Sequence, residues 1–117
     1  MKAPVRALVV DDDPSLRLLC RVNLEHAGFE VEEASTVEEA EAALVEPPAV
    51  VLLDVHLGGS QSTVLLGQIH DAGIPVAIVT GSVDVSEYRD LADAVLSKPF
   101  VPGVLVEVAT RLARVGE

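Results

Sequence analysis

The sequence predicts an α/β domain built on a mainly parallel sheet, and three observations lead there. Short runs rich in β-branched residues are apolar almost throughout, as strands covered on both faces must be. Stretches with apolar residues at helical spacing lie between them. The strand-to-helix alternation repeats about five times within 117 residues, a length that suits a single domain spanning 1–117. Right-handed crossovers then place helices on both faces of the sheet. In open sheets of this kind ligands bind at the carboxyl ends of the strands.

The first strand is Val5–Val10, apolar but for Arg6. Asp13 and Pro14 read as an N-cap followed by proline at the first helical position. Leu16, Leu19, Cys20, Leu24 and Ala27 follow at helical spacing, and Gly28 supplies the stop. Phe29–Val31 is a weaker strand candidate. Ser35 with Glu38, or Thr36 with Glu39, offers a capping box for a second helix that carries Ala40, Ala43 and Leu44 and ends by Pro47–Pro48. The third strand is Ala49–Leu53, and a helix is expected from about Thr63 to Ala72, stopped by Gly73. Pro75–Val79 is the fourth strand and Ala94–Leu96 the fifth. The last helix begins near Pro102 and carries Val104, Leu105, Val108 and Leu112.

Composition narrows the function. The chain carries 19 acidic and 8 basic side chains, a net charge of −11. That balance argues against nucleic acid or an anionic membrane as a direct partner, and suits a cation or a protein with a basic face. Aromatic residues are 3% of the chain, so Val, Leu, Ile and Ala must build the core. Cys20 is the single cysteine, which excludes an internal disulfide and a multi-cysteine zinc cluster. No apolar run reaches about 18 residues, the length of a membrane span. The amino-terminal apolar run is short and leads straight into acids, unlike a signal peptide, so the expected compartment is the cytoplasm.

The chemistry gathers just after the apolar runs. Asp11, Asp12 and Asp13 follow the first, Asp54 the third, Thr80 the fourth and Lys98 the fifth. Carboxylates that crowd together raise one another's pKa unless a cation neutralises them. A hard divalent ion such as Mg²⁺ takes oxygen ligands from a few carboxylates and from phosphate. A lysine and a hydroxyl can hold the remaining oxygens of a phosphoryl group while one Asp serves as nucleophile. Gly58–Gly59 lacks the lysine and spacing of a nucleotide-binding loop.

With LVVDDDP, VVLLDVHL, AIVTG and LSKPF in this order, essentially the whole chain resembles the receiver domain of bacterial two-component response regulators. The resemblance implies a flavodoxin-like, doubly wound sheet of five parallel strands in the order 2-1-3-4-5. It makes Asp54 the phosphoacceptor and Asp11 and Asp12 the acidic pair that holds Mg²⁺ with Asp54 and the backbone carbonyl of His56. Thr80 becomes the switch hydroxyl, Lys98 the contact to the phosphoryl group, and Lys98–Pro99 a cis bond. The implied donor is a phosphohistidine on a sensor histidine kinase or histidine phosphotransfer protein, and the implied output is a downstream protein target. The domain acts on no separate turnover substrate, catalysing only its own phosphorylation and dephosphorylation. It is either a stand-alone regulator or a piece of a longer protein. Two rival readings are a small phosphatase of the haloacid-dehalogenase type, with Asp11 as nucleophile, and a degenerate receiver used only for binding.

Three departures from the family bear on loop shape and output. Gly58 and Ser62 stand where proline and glycine are usual, which predicts a looser loop. Val95 replaces the usual switch aromatic, and Gly81–Asp93 is about one helical turn short, so the fourth helix of the family should be short or irregular here. Output is therefore expected through Thr80 and a shift or ordering of Gly81–Asp93. Tyr88 either substitutes for the missing ring or lies on the surface. Other conspicuous residues have plainer readings: Asp13 caps a helix, His26 and His70 sit near helix ends, and Cys20 packs in the core. Glu32, Glu33, Glu38, Glu39 and Glu41 read as a solvated face around the second helix, and the His56 ring is expected over the site mouth.

Overall fold

Side chains that alternate along a strand point to opposite faces, and this rule divides the core in two. The computed structural model describes residues 5–56, 60–81, 88 and 90–115. Strands β1 (Val5–Val10), β2 (Phe29–Ala34), β3 (Val50–Asp54), β4 (Val76–Thr80) and β5 (Ala94–Ser97) form one parallel sheet ordered β2-β1-β3-β4-β5. Ala7, Val9, Val50, Leu52, Ala77, Val79 and Leu96 belong to a cluster with Cys20, Leu24, Leu105, Ala109 and Leu112. These last residues come from α1 (Pro14–His26) and α4 (Pro102–Val115). Leu8, Val10, Val51, Leu53, Val76 and Ile78 belong to a second cluster with Ala40 of α2 (Val37–Ala43) and with Leu65, Leu66 and Ile69 of α3 (Ser60–Asp71).

Local chemistry sets the helix ends. Asp13 caps α1 by accepting N–H bonds from Ser15 and Leu16, with Pro14 inside the first turn. Gly28 (φ +103°) and Gly73 (φ +74°) take the left-handed backbone that turns the chain out of α1 and α3. Thr36 caps α2 by accepting from the Glu39 N–H, while the Glu39 carboxylate reaches back to the backbone and hydroxyl of Ser35. Those bonds, the Ser35 N–H first, hold the Glu39 carboxyl below its usual pKa. Of the two capping boxes the sequence allowed, the Thr36–Glu39 pair is the one formed.

Several boundaries differ from expectation. Strands β3, β4 and β5 run one residue further, to Asp54, Thr80 and Ser97, because the parallel ladder continues through the polar residue. Strand β2 reaches Ala34 instead of Val31. Glu32 and Glu33 lie on this edge strand and not around α2; Glu32 pairs with Arg6 at 2.9 Å, and Glu33 with Arg17 at 3.2 Å and Arg21 at 2.7 Å. Helix α3 starts at Ser60, before its apolar spacing begins. Leu19, expected inside, is 38% exposed. The expected looser loop falls largely on 57–59, and the short fourth helix of the family on 82–87 and 89, outside the described residues. Tyr88, Leu91 and Ala92 pack against the α2–α3 cluster, so the Tyr88 ring is partly buried and does not lie free on the surface. Lys98–Pro99 is cis. No helix among the described residues is long and apolar enough to cross a membrane.

Candidate functional site

The alternation that sorts the core also sorts the polar strand ends. Asp11, Asp54 and Lys98 continue the positions that face α1 and α4, whereas Thr80 continues those of Val76 and Ile78, which face α3. The Lys98 ammonium lies 3.5 Å from Asp11 Oδ2 and 3.7 Å from Asp54 Oδ2. One cation from the end of β5 thus serves two acids from β1 and β3. Asp11 and Asp54 are 3% and 4% exposed, whereas the Lys98 side chain, at 30%, keeps contact with water, so two buried acids share one half-buried cation. Asp12 is exposed beside them, and ligand oxygens of Asp11, Asp12 and Asp54 all lie within 4.8 Å of one another.

The two buried acids, Asp11 and Asp54, are each held by a backbone N–H. Asp11 Oδ1 accepts the Asp13 N–H at 2.9 Å, and the Asp11 N–H donates to the Ala34 carbonyl, extending the β1–β2 ladder. Asp54 Oδ1 accepts the His56 N–H at 3.0 Å. Thr80 is wholly buried, and its carbonyl accepts the Lys98 N–H at 2.8 Å. Every residue singled out at the strand ends therefore comes to one rim of the sheet.

Burial is the largest influence on Asp11 and pushes its carboxyl above the usual value. The Asp13 N–H draws it back, the Asp54 charge raises it again, and Lys98 opposes. A carboxyl raised in the folded state lowers stability as pH climbs from the ordinary carboxylate range through the raised value. Asp11→Asn keeps the oxygen that accepts from Asp13 and removes the charge. It is therefore expected to melt a few degrees higher than the unmutated chain at pH 7, the gain vanishing at acidic pH where Asp11 is protonated in both states. Thermal melts across pH without added metal check this. Burial also drives the Cys20 thiol to about 11, with the Asp11 charge adding, so the cysteine is a packed neutral group.

Three contacts escaped the sequence reading. Arg17 Nη1 donates to the Asp11 carbonyl at 2.8 Å while its Nε pairs with Glu33, tying the end of β1 to α1 and β2. Ser62, buried at the start of α3, donates to the Val55 carbonyl. The exposed His56 turns its ring inward, with Nε2 3.2 Å from Thr80 Oγ1. Arg17 carried a usable signal, a cation one helical turn inside an acidic strand end. Ser62 showed only as a departure from the family pattern, and the His56 contact spans 24 residues with no local signal.

Comparison with known proteins supplies independent evidence. The family model of the response regulator receiver domain matches residues 7–110. The C4-dicarboxylate transport transcriptional regulatory protein DctD of Pseudomonas aeruginosa is 33% identical over 97% of this chain and 26% of its own length. The transcriptional regulatory protein AruR of the same organism is 35% identical over 93% of this chain and 49% of its own. The chain thus spans about a quarter to a half of the length of these relatives. A CheY-like response regulator receiver domain protein from Methanospirillum hungatei superposes with a TM-score of 0.87 at 30% identity, covering 97% of each chain.

Proposed function

The chain belongs to the response regulator receiver domain family, and from that premise we propose that Asp54 is the residue that takes up the phosphoryl group. The observation that carries this is the convergence of Asp54, Asp11 and Lys98 at the ends of β3, β1 and β5. In the proposed step an Asp54 carboxylate oxygen attacks the phosphorus of a phosphohistidine. A P–O bond forms, the P–N bond breaks, and the donor imidazole leaves. Lys98, already within reach of both acids, offers its ammonium to the charge on the transferring group. The Thr80 hydroxyl takes a phosphoryl oxygen afterwards and so reports the event.

The residues present fit Mg²⁺. Asp11, Asp12 and Asp54 present only oxygen donors, close together and mutually repelling, which is the ligand chemistry a hard cation prefers. The resemblance adds the His56 carbonyl as a fourth protein ligand. When bound, the ion supplies positive charge to the acids and to the phosphoryl oxygens.

The proposed donor is a sensor histidine kinase or a histidine phosphotransfer protein, the output is a downstream protein target, and the setting is the cytoplasm. The net charge of −11 gives no support to direct nucleic-acid contact by this domain. Receiver domains are signalling modules and in general not classical enzymes. We extend this to the chain, whose sole chemistry is taken to be its own phosphorylation and dephosphorylation.

Incubation with acetyl phosphate and Mg²⁺, followed by peptide mapping, tests the assignment. The expected product is an acid-stable, base-labile phosphate on Asp54. Label on Asp11 supports the phosphatase reading, and no label a passive binding module. In excess EDTA incorporation is expected to fall to background. Undiminished labelling there refutes the cation's role.

A further inference from the structure

His56 touches both the acceptor and the hydroxyl that is to respond to it. Its N–H donates to Asp54 Oδ1 at 3.0 Å, and its ring Nε2 lies 3.2 Å from Thr80 Oγ1. The peptide group between Val55 and His56 is anchored at both polar ends. Ser62 donates to its carbonyl, and Asp54 accepts from its N–H. With that backbone fixed, the imidazole has only its own two torsions, and its tip rests on Thr80. Thr80 is the last residue of β4, and its carbonyl is engaged by the Lys98 N–H. Its hydroxyl can therefore move only about χ1, a restricted torsion in a β-branched residue.

We propose that His56 is a positioning residue that holds the Thr80 hydroxyl in its resting orientation, so that uptake of a phosphoryl group at Asp54 must break this contact. The inference rests on the reading of Asp54 as acceptor and Thr80 as responder. Turning Oγ1 toward a phosphoryl oxygen withdraws it from the imidazole, whichever of the two donates in the resting contact, because the side chain has a single torsion about which to move. The resting state is favoured by the hydrogen bond that is lost, and a phosphoryl mimic must work against it. Ser62 has a part in this. By fixing the Val55 carbonyl it sets where the His56 ring begins.

The test is a double-mutant cycle read as affinity for beryllofluoride in the presence of Mg²⁺, by NMR titration of the chain, His56→Ala, Thr80→Ala and the pair. His56→Ala is expected to bind the mimic about fivefold more tightly, the scale of one net hydrogen bond. In the Thr80→Ala background the same change should have no effect. His56→Gln, whose amide can reach the hydroxyl, should bring affinity back toward that of the unmutated chain. Unchanged affinity in His56→Ala overturns the proposal, as does a gain that persists without the Thr80 hydroxyl. No binding by the unmutated chain overturns the acceptor reading as well, whereas binding without coupling overturns this inference alone.

Discussion

Asp54→Asn is expected to reduce incorporation of phosphate from acetyl phosphate to background while the chain stays folded. The amide keeps the shape of the carboxylate and can still accept the His56 N–H through its oxygen, so the loop after β3 need not move. What it lacks is a nucleophilic oxygen. Removing one of the crowded acids also relieves repulsion on Asp11, whose carboxyl Asp54 pushes upward. Circular dichroism and thermal melts are therefore expected to show a native fold, at least as stable as the unmutated chain without metal. Labelling of Asp54→Asn at an undiminished level would falsify the assignment of the acceptor.

The largest expected effect on stability comes from the α1–α4 layer. Leu105 is fully buried and joins α4 to the sheet cluster that contains Leu52, Ala77 and Leu96. Leu105→Ala removes apolar contacts and leaves a cavity, at a cost of about 3 kcal/mol. Against the total of about 5–15 kcal/mol typical of a domain, that is a large share. The melting temperature should fall by on the order of 10 °C or more. Val104, its neighbour in sequence, is 41% exposed, and Val104→Ala is expected to shift the melt little. Equal losses in the two variants, measured by urea denaturation, contradict the placement of the buried face.

The contrast between Leu105 and Val104 shows what kind of information the chain carries along its length. Burial on one face leaves a period, from which the spacing of Leu16, Cys20 and Leu24 could be read. Burial on both faces leaves a nearly unbroken apolar run, from which Val5–Val10 and Ala49–Leu53 could be read. Chemistry at strand ends was equally legible, since Asp11, Asp54, Thr80 and Lys98 each interrupt or follow an apolar run. The end residues of the strands were harder. Asp54 and Thr80 remain in the ladder by virtue of their neighbours Val79 and Ser97, and nothing local reveals a partner on another strand. Strand β2 was underestimated for the same reason, because Glu32 and Glu33 find their cations on β1 and α1. Ser60 and Gln61 bear no apolar signal, so the first turn of α3 was invisible. The contacts of Arg17, Ser62 and His56 join segments the chain keeps apart, and only folding brings them together.

Among the described residues the sheet separates two apolar clusters that have no side chain in common. Substitutions on opposite faces that share no partner and lie well apart combine close to additively. A lineage, or an engineer, can therefore rewrite the α2–α3 layer while the α1–α4 layer stays unaltered, or the reverse. The polar rim belongs to both faces at once, with its acids and lysine aligned to one and its threonine to the other. Each layer is free to drift alone, but the rim can change only with the consent of both.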